Sequence, residues 1–236
     1  MEKQELLYEG KAKKVYCTDD PDAYIVSYKD DATAGNGAKR GTIRGKGVVN
    51  NQVTNHLMRL LERAGIPTHY LAQLSDRETL VKRVEIVPLE VIVRNVAAGG
   101  LATRLGLAEG TPLKSTVLEY CYKSDALADP MVNEYHIAVL GLATKEELAA
   151  IAALSLRVNE ILRGYLQDAG IDLIDFKLEF GRSPDGKLLL ADEISPDTCR
   201  FWDTETHAHL DKDLFRQDLG GEEEAYREVC QRLLGV

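Results

Sequence analysis

Apolar and polar residues alternate most regularly over 173–180, where Asp175, Lys177 and Glu179 interleave with Ile174, Phe176, Leu178 and Phe180. Strand side chains point to opposite faces with period two, so this spacing predicts a strand with three charges on one face. Ser183-Pro184-Asp185-Gly186 supplies a turn, and Leu188-Leu189-Leu190-Ala191 an apolar return strand ending at Asp192-Glu193. If the hairpin turns on Pro184 and Asp185, Lys177 lies opposite Asp192. A two-residue slip sets Glu179 opposite Asp192. Both registers put Lys177, Glu179 and Asp192 on one face and Glu193 on the other, whereas a one-residue slip exchanges Asp192 and Glu193.

The same patterning predicts strand, glycine turn and strand over 6–16, a strand at 23–28 and another over 79–87. Residues 30–47 contain five glycines and read as a mobile loop. Helical spacing covers 48–64 and stops at Gly65; the longest helix covers 144–169, with Thr144 and Glu147 as a capping box and Gly170 as its end. Short helices are expected over 212–219 and 222–234. Over 88–100, PLEVIVRNVAAGG, a strand carries Glu90, Ile92 and Arg94 on one face and breaks at the glycines before a short helix. Residues 125–134 form a polar connection.

Charge and composition narrow the function. A net charge of -9 excludes a general nucleic-acid binder, because no basic excess is available to neutralise phosphates. No apolar run has the length of a membrane span, and the N-terminus lacks a signal-peptide core. Four scattered cysteines without a C-x-x-C spacing fit free thiols in a reducing cytoplasm. Two carboxylates with a lysine between them suit a hard cation holding a polyphosphate; a solvated face of cross-strand ion pairs is the plainer alternative. Lys11, Lys13 and Lys14 beside Gly10 offer cations to phosphates, or form a solvated hairpin tip. Glycines opening a helix after Arg94 suit an anion, or Glu90 and Arg94 simply pair. Arg200, just past the acidic strand end, can close the same pocket. His207 and His209 read as surface histidines, and Cys199 as a bystander thiol.

Four stretches in order, YEGKAKKVY at 8–16, VPLEVIVRN at 87–95, IDFKLEFG at 174–181 and LADEISPDTCRFWD at 190–203, closely resemble the SAICAR synthetase family. The resemblance runs nearly end to end. It implies an α+β fold of two lobes: an N-terminal antiparallel sheet like a kinase small lobe over 1–85 and an ATP-grasp-like lobe over 86–236, with ATP between them. It implies ligation of L-aspartate to the carboxylate of 5-aminoimidazole-4-carboxylate ribonucleotide (CAIR), with ATP and Mg²⁺, in a cytoplasmic homo-oligomer, a dimer. The resemblance assigns Lys11 and Lys13 to the ATP phosphates, Gly10, Ala12 and Val15 to the ATP site, and the strand around Lys82 to the adenine edge. Glu179 and Asp192 become metal and ATP ligands, Arg94, Gly99, Gly100, Lys177 and Arg200 substrate ligands, and Lys177 and Asp175 catalytic residues. The family usually has Gly-Ser where this chain has Gly99-Gly100, which removes a hydroxyl from the nucleotide phosphate site. Residues 129–133 are the expected place for aspartate. The same residues also fit a small-molecule kinase on that frame, or a nucleotide-binding module without turnover.

Overall fold

The structure is a computed structural model that describes residues 1–35 and 37–235. Asn36, inside the expected mobile loop, lies outside the described residues. The chain forms β1 (Lys3–Glu9), β2 (Lys13–Thr18), β3 (Ala23–Tyr28), a small hairpin of β4 (Asp31–Ala34) and β5 (Lys39–Thr42), and α1 (Lys46–Arg63). It continues through β6 (Tyr70–Gln73), β7 (Glu78–Lys82), β8 (Glu85–Ile86), β9 (Leu89–Val96), α2 (Gly99–Leu105), β10 (Pro112–Tyr122) and β11 (Met131–Val132). It ends with α3 (Glu134–Leu140), α4 (Lys145–Asp168), β12 (Ile171–Arg182), β13 (Leu188–Ala191), β14 (Cys199–Asp203), α5 (Asp213–Arg216) and α6 (Glu222–Leu234).

Besides the β4–β5 hairpin, the described residues form two larger antiparallel sheets. One has the order β1-β2-β3-β7-β6; the other has β11-β10-β9-β12-β13, with β14 and β8 also on β12. The twelve-residue β12 is the axis of the second sheet. On one edge it pairs with β9 and then β8; on the other, with β14 over its first half and β13 over its second. The partner change falls at Lys177, whose N–H donates to the Thr198 carbonyl at 2.8 Å. The segment between β13 and β14 therefore crosses the sheet edge beside the charged residues of β12.

The main core lies between this sheet and the helices. Val53, Leu57 and Leu61 of α1 recur every four residues and are fully buried. So are Ile151, Val158 and Leu162 of α4, against Phe176, Leu178 and Phe180 of β12. Each such side chain contributes about 1.5–3 kcal/mol through burial. The capping box of α4 is formed: Thr144 Oγ1 accepts from the Glu147 N–H at 3.1 Å, and Glu147 Oε2 accepts from the Thr144 N–H at 2.8 Å. The two sheets are tied where the Leu190 N–H donates to Pro67 O and the His69 N–H to Leu190 O, both at 2.9 Å.

Several expectations change. Residues 30–47 are not an unstructured loop but carry the β4–β5 hairpin. The helix expected from 48 begins at Lys46. The strand over 79–87 breaks into β7 and β8, since β8 leaves the first sheet to pair with β12. The helix expected over 212–219 is the single turn α5. The β12–β13 register matches Glu179 with Ala191 and Arg182 with Leu188, one residue between the two expected registers. The cause is the turn: Ser183 and Lys187 close a three-residue loop in which Gly186 has φ 78°. Three-residue hairpin loops characteristically end in a left-handed residue, and glycine adopts it without strain.

Candidate active site

The two sheets enclose a cavity of about 890 Å³. Its floor is the partner change on β12. Its roof is the β1–β2 turn and the inner face of β3 and β7. Lys177 and Glu179 stand on alternate positions of β12 and both reach the cavity, as alternation requires. Gly10, Lys11, Ala12, Lys13, Val15 and Lys82 line it from the first sheet; Arg94, Asp175, Asp192 and Arg200 line it from the second. Gly99 and Gly100 are not in its wall.

The register places Glu193, by alternation, on the face of Lys177 and turns Asp192 away. The backbone overrides half of that. Asp192 has φ 58°, a left-handed conformation that Asp tolerates better than most residues, and it swings its carboxylate back to the cavity. Glu193 is therefore not on the opposite face, as expected, but beside Asp192. Lys13 bonds to Asp192 and, at 2.9 Å, to Glu193 Oε1. Glu193 Oε2 accepts from Ser195 Oγ at 2.5 Å. Lys177 Nζ lies 2.8 Å from Glu90 Oε1 and 3.1 Å from Glu179 Oε1, and Lys123 Nζ lies 2.6 Å from the same Glu179 oxygen. Four carboxylates thus face three ammonium groups. Burial opposes the charge on Lys13, but Asp192 and Glu193 outweigh it and hold its pKa well above the usual lysine value. Lys177 is raised likewise, against burial, by Glu179 and Asp192. Asp192 is held below the usual carboxylate range despite burial, chiefly by Lys13 and Lys177. An excess of buried carboxylate oxygens among hydrogen-bonded lysines fits a hard divalent cation, with Glu179 and Asp192 as ligands and Glu193 next to them.

A second cluster uses three neighbouring strands in register: Asp175 pairs across β12 with Arg94 of β9 on one side and Arg200 of β14 on the other. Arg94 Nη1 and Arg200 Nη1 lie 2.7 and 2.9 Å from Asp175 Oδ2. Arg94 Nε also meets Glu119 Oε2 at 2.7 Å, so Glu90 is not its partner. Gly99 has φ 50°, and a Cβ there would lie 2.5 Å from Arg200 Nη2. Glycine at 99 lets the guanidinium lie against the backbone. Lys11 is exposed and pairs with Asp125 at 2.9 Å; Lys82 Nζ donates to Thr68 O at 3.0 Å.

Sequence reasoning missed Glu193 as a site residue, along with Lys123 and His69. The first had a signal in the one-residue slip. The other two had none, since they reach the cavity from segments remote in sequence, Lys123 just after β10 and His69 just before β6. His69 is buried in the wall; burial first, then Lys13 and Lys82 over the opposing effect of Asp192, lower its pKa to about 4. His207 is exposed, but His209 is half-buried with its ring 5.2 Å from Trp202. Its donors lie within 4.8 Å of Asp211 and Asp213. Arg200 and Arg216 occupy Asp213 at 2.6 and 2.5 Å, and backbone N–H groups occupy Asp211, so this group does not suit a cation. Cys199 is buried, and burial raises its thiol pKa, which keeps it an unreactive thiol.

The family model described as SAICAR synthetase matches residues 6–233. A phosphoribosylaminoimidazole-succinocarboxamide synthase of Thermoanaerobacter sp. (strain X514) is 62% identical over 236 residues, covering 100% of both chains. One from Deinococcus radiodurans is 58% identical over 233 residues, 99% of this chain and 98% of that one. The crystal structure of the synthase from Ehrlichia chaffeensis superposes with TM-score 0.96 at 47% identity, over 98% of this chain and 99% of that chain. A SAICAR synthetase in complex with ADP gives TM-score 0.95 at 49% identity over 98% of each chain. With matches of this extent in both sequence and fold, the chain belongs to the SAICAR synthetase family.

Proposed function

We propose that the protein joins the amino group of L-aspartate to the carboxylate of CAIR, converting ATP to ADP and phosphate and giving SAICAR for purine biosynthesis. One observation carries this reading beyond family membership: a single cavity sets the carboxylate–lysine cluster beside the Arg94–Asp175–Arg200 cluster. The first suits a metal-bound polyphosphate, the second an anionic nucleotide.

A carboxylate is a poor acyl donor, because the group displaced would be oxide. Transfer of the ATP γ-phosphoryl group to a CAIR carboxylate oxygen gives an acyl phosphate and ADP. The neutral amine of aspartate then attacks the acyl carbon, the C–N bond forms, and phosphate leaves. Lys13 and Lys177, charged throughout the neutral range, offset charge developing on the phosphoryl oxygens. Arg94 and Arg200 hold the nucleotide anion, oriented by Asp175. Glu179 and Asp192 would hold Mg²⁺, which supplies charge neutralisation at the phosphates. Lys11, at the exposed turn, exchanges Asp125 for a phosphate.

The same reading has ATP between two lobes, 1–85 related to a kinase small lobe and 86–236 to ATP-grasp enzymes. It has the enzyme working as a homodimer in the cytoplasm, where free thiols such as its four cysteines persist. The test is ADP release with CAIR present, with and without L-aspartate. Aspartate-dependent ADP and SAICAR are expected. ADP formed equally without aspartate would favour a kinase, and absence of ADP under every combination a binding module.

A further inference from the structure

The first residue of α1, Lys46, has no role in the mechanism above, yet its side chain is completely buried. Its Nζ lies 2.9 Å from Asp197 Oδ2. The Tyr226 hydroxyl of α6 donates to Asp197 Oδ1 at 2.6 Å, and Lys212 Nζ approaches Oδ2 at 3.5 Å. Burial opposes the charge on Asp197, but Lys212, Lys46 and the Tyr226 hydroxyl outweigh it and hold the carboxyl below the usual carboxylate range. A buried ion pair is a poor source of stability, because desolvation cancels much of the attraction, and packed apolar groups often serve as well. What distinguishes this pair is the segment that Asp197 belongs to.

That segment is the turn over 193–198, between β13 and β14, and its own hydrogen bonds close it. The Asp197 N–H donates to Ser195 Oγ at 3.1 Å, and that hydroxyl donates to Glu193 Oε2 at 2.5 Å. The Ser195 N–H donates to Thr198 Oγ1 at 3.1 Å, and the Thr198 and Cys199 N–H groups donate to Ser195 O at 3.0 and 2.9 Å. Both ends of the turn meet the reacting groups. Glu193 Oε1 faces Lys13 at 2.9 Å, and Thr198 O accepts from the Lys177 N–H at 2.8 Å. Thr54, eight residues after Lys46 and so on the same face of α1, donates to Ile194 O at 3.2 Å. One helix face thus grips the turn twice, at Ile194 through Thr54 and at Asp197 through Lys46. We propose that Lys46 is a positioning residue for the ligation, holding through Asp197 the turn that aims Glu193 at Lys13 and anchors the backbone of Lys177. The step it serves rests on the ligation reading, in which Lys13 and Lys177 meet charge on the transferred phosphoryl group. Misplacing such groups by about 1 Å can cost about 100-fold in rate.

The test is ADP-release kinetics of Lys46→Met, Tyr226→Phe, Asp197→Asn and the double variant Lys46→Met with Asp197→Asn. Ile151→Ala, in the fully buried core of α4, is the control for stability. In folded Lys46→Met, kcat should fall about tenfold or more while KM for ATP and CAIR stays within about threefold. Because Lys46 acts through Asp197, the double variant should be no slower than Asp197→Asn alone. Ile151→Ala should lower the melting temperature and keep kcat within about threefold. Hydrogen exchange at the Thr198 and Cys199 amides needs no turnover, and it should quicken about tenfold in Lys46→Met and stay unchanged in Ile151→Ala. A kcat within about threefold of wild type in Lys46→Met, at a lowered melting temperature, makes the pair structural only and overturns the proposal. So do losses that multiply in the double variant. If Lys46→Met does not fold, Tyr226→Phe, which leaves no buried charge unpaired, decides: kcat should fall about threefold or more with faster exchange at the same amides, and no change in either overturns the proposal. A wild type without aspartate-dependent product overturns the ligation reading, and the exchange rates then still decide whether Lys46 holds the turn. Aspartate-dependent wild type with unchanged variants overturns this proposal alone.

Discussion

Asp192 carries the geometry of the carboxylate–lysine cluster on one dihedral angle. A non-glycine residue at φ 58° is uncommon, and here it decides which way a carboxylate points. Charge and backbone shape are separable at this position, because asparagine adopts the left-handed region about as readily as aspartate. Asp192→Asn should therefore fold with little loss of stability, since Lys13 keeps Glu193, yet on the proposed role of Asp192 as a ligand of Mg²⁺ it should lose turnover about 100-fold or more. Asp192→Ala removes the same charge and adds about 1–2 kcal/mol of backbone strain. Thermal melts with ADP-release assays distinguish the two. An asparagine variant that turns over at the wild-type rate would remove Asp192 from the metal site.

At the level of elements, what could be read from the sequence was what depends on neighbours along the chain. The alternation of β12, the capping box of α4 and the glycine stops of helices are local, and they stand as expected. The hairpin register was not legible, because Pro184-Asp185-Gly186 suits either a two-residue or a three-residue loop. The partners of Glu179 and Lys177 were not legible either. Lys123 and Glu90 reach them across 56 and 87 residues of sequence. The start of α1 is a third case. It has no local cap; Asp30 accepts from the Gly45 N–H at 3.2 Å and the Gly47 N–H at 2.9 Å, and pairs with Arg77 at 2.8 Å. Against the cost of burial, Arg77 and those two N–H groups lower the Asp30 pKa to about 2. Allowing for its partial exposure to solvent, Asp30→Ala should cost about 1–2 kcal/mol near neutral pH. A carboxyl depressed in the folded state stabilises fully above its unfolded pKa, about 3.9, and loses that stabilisation as pH falls towards the folded value. Denaturant titrations of variant and wild type should therefore converge at about pH 2 and differ most above about pH 5. A constant difference across that range would argue that packing, not charge, holds the helix start.

Across the whole molecule, the cavity is polarised: carboxylates exceed lysines beside β2 and β13, and cations exceed carboxylates beside α5. Keeping such groups buried gives the fold two opposing acid responses. His69, with its pKa lowered to about 4, stays neutral in the folded protein where the unfolded chain takes up a proton, so stability rises with pH from about 4 to 6.5. Asp211, raised to about 7, keeps its proton where the unfolded chain has lost it, so stability falls with pH over about 4 to 7. His69 faces Lys13, Lys82 and Asp192; Asp211 faces Asp213, Arg216 and Arg200. Both are almost wholly buried, and each contributes about 2 kcal/mol of opposite sign between about pH 4.5 and 6.5. The wild type should therefore change by less than about 1 kcal/mol across that window in urea titrations. His69→Gln removes the rising contribution and should expose the falling one, losing about 2 kcal/mol as pH increases from about 4.5 to 6.5. A His69→Gln profile parallel to that of the wild type would mean that the imidazole titrates alike in the folded and unfolded chains, and would leave no linkage between this wall of the cavity and folding.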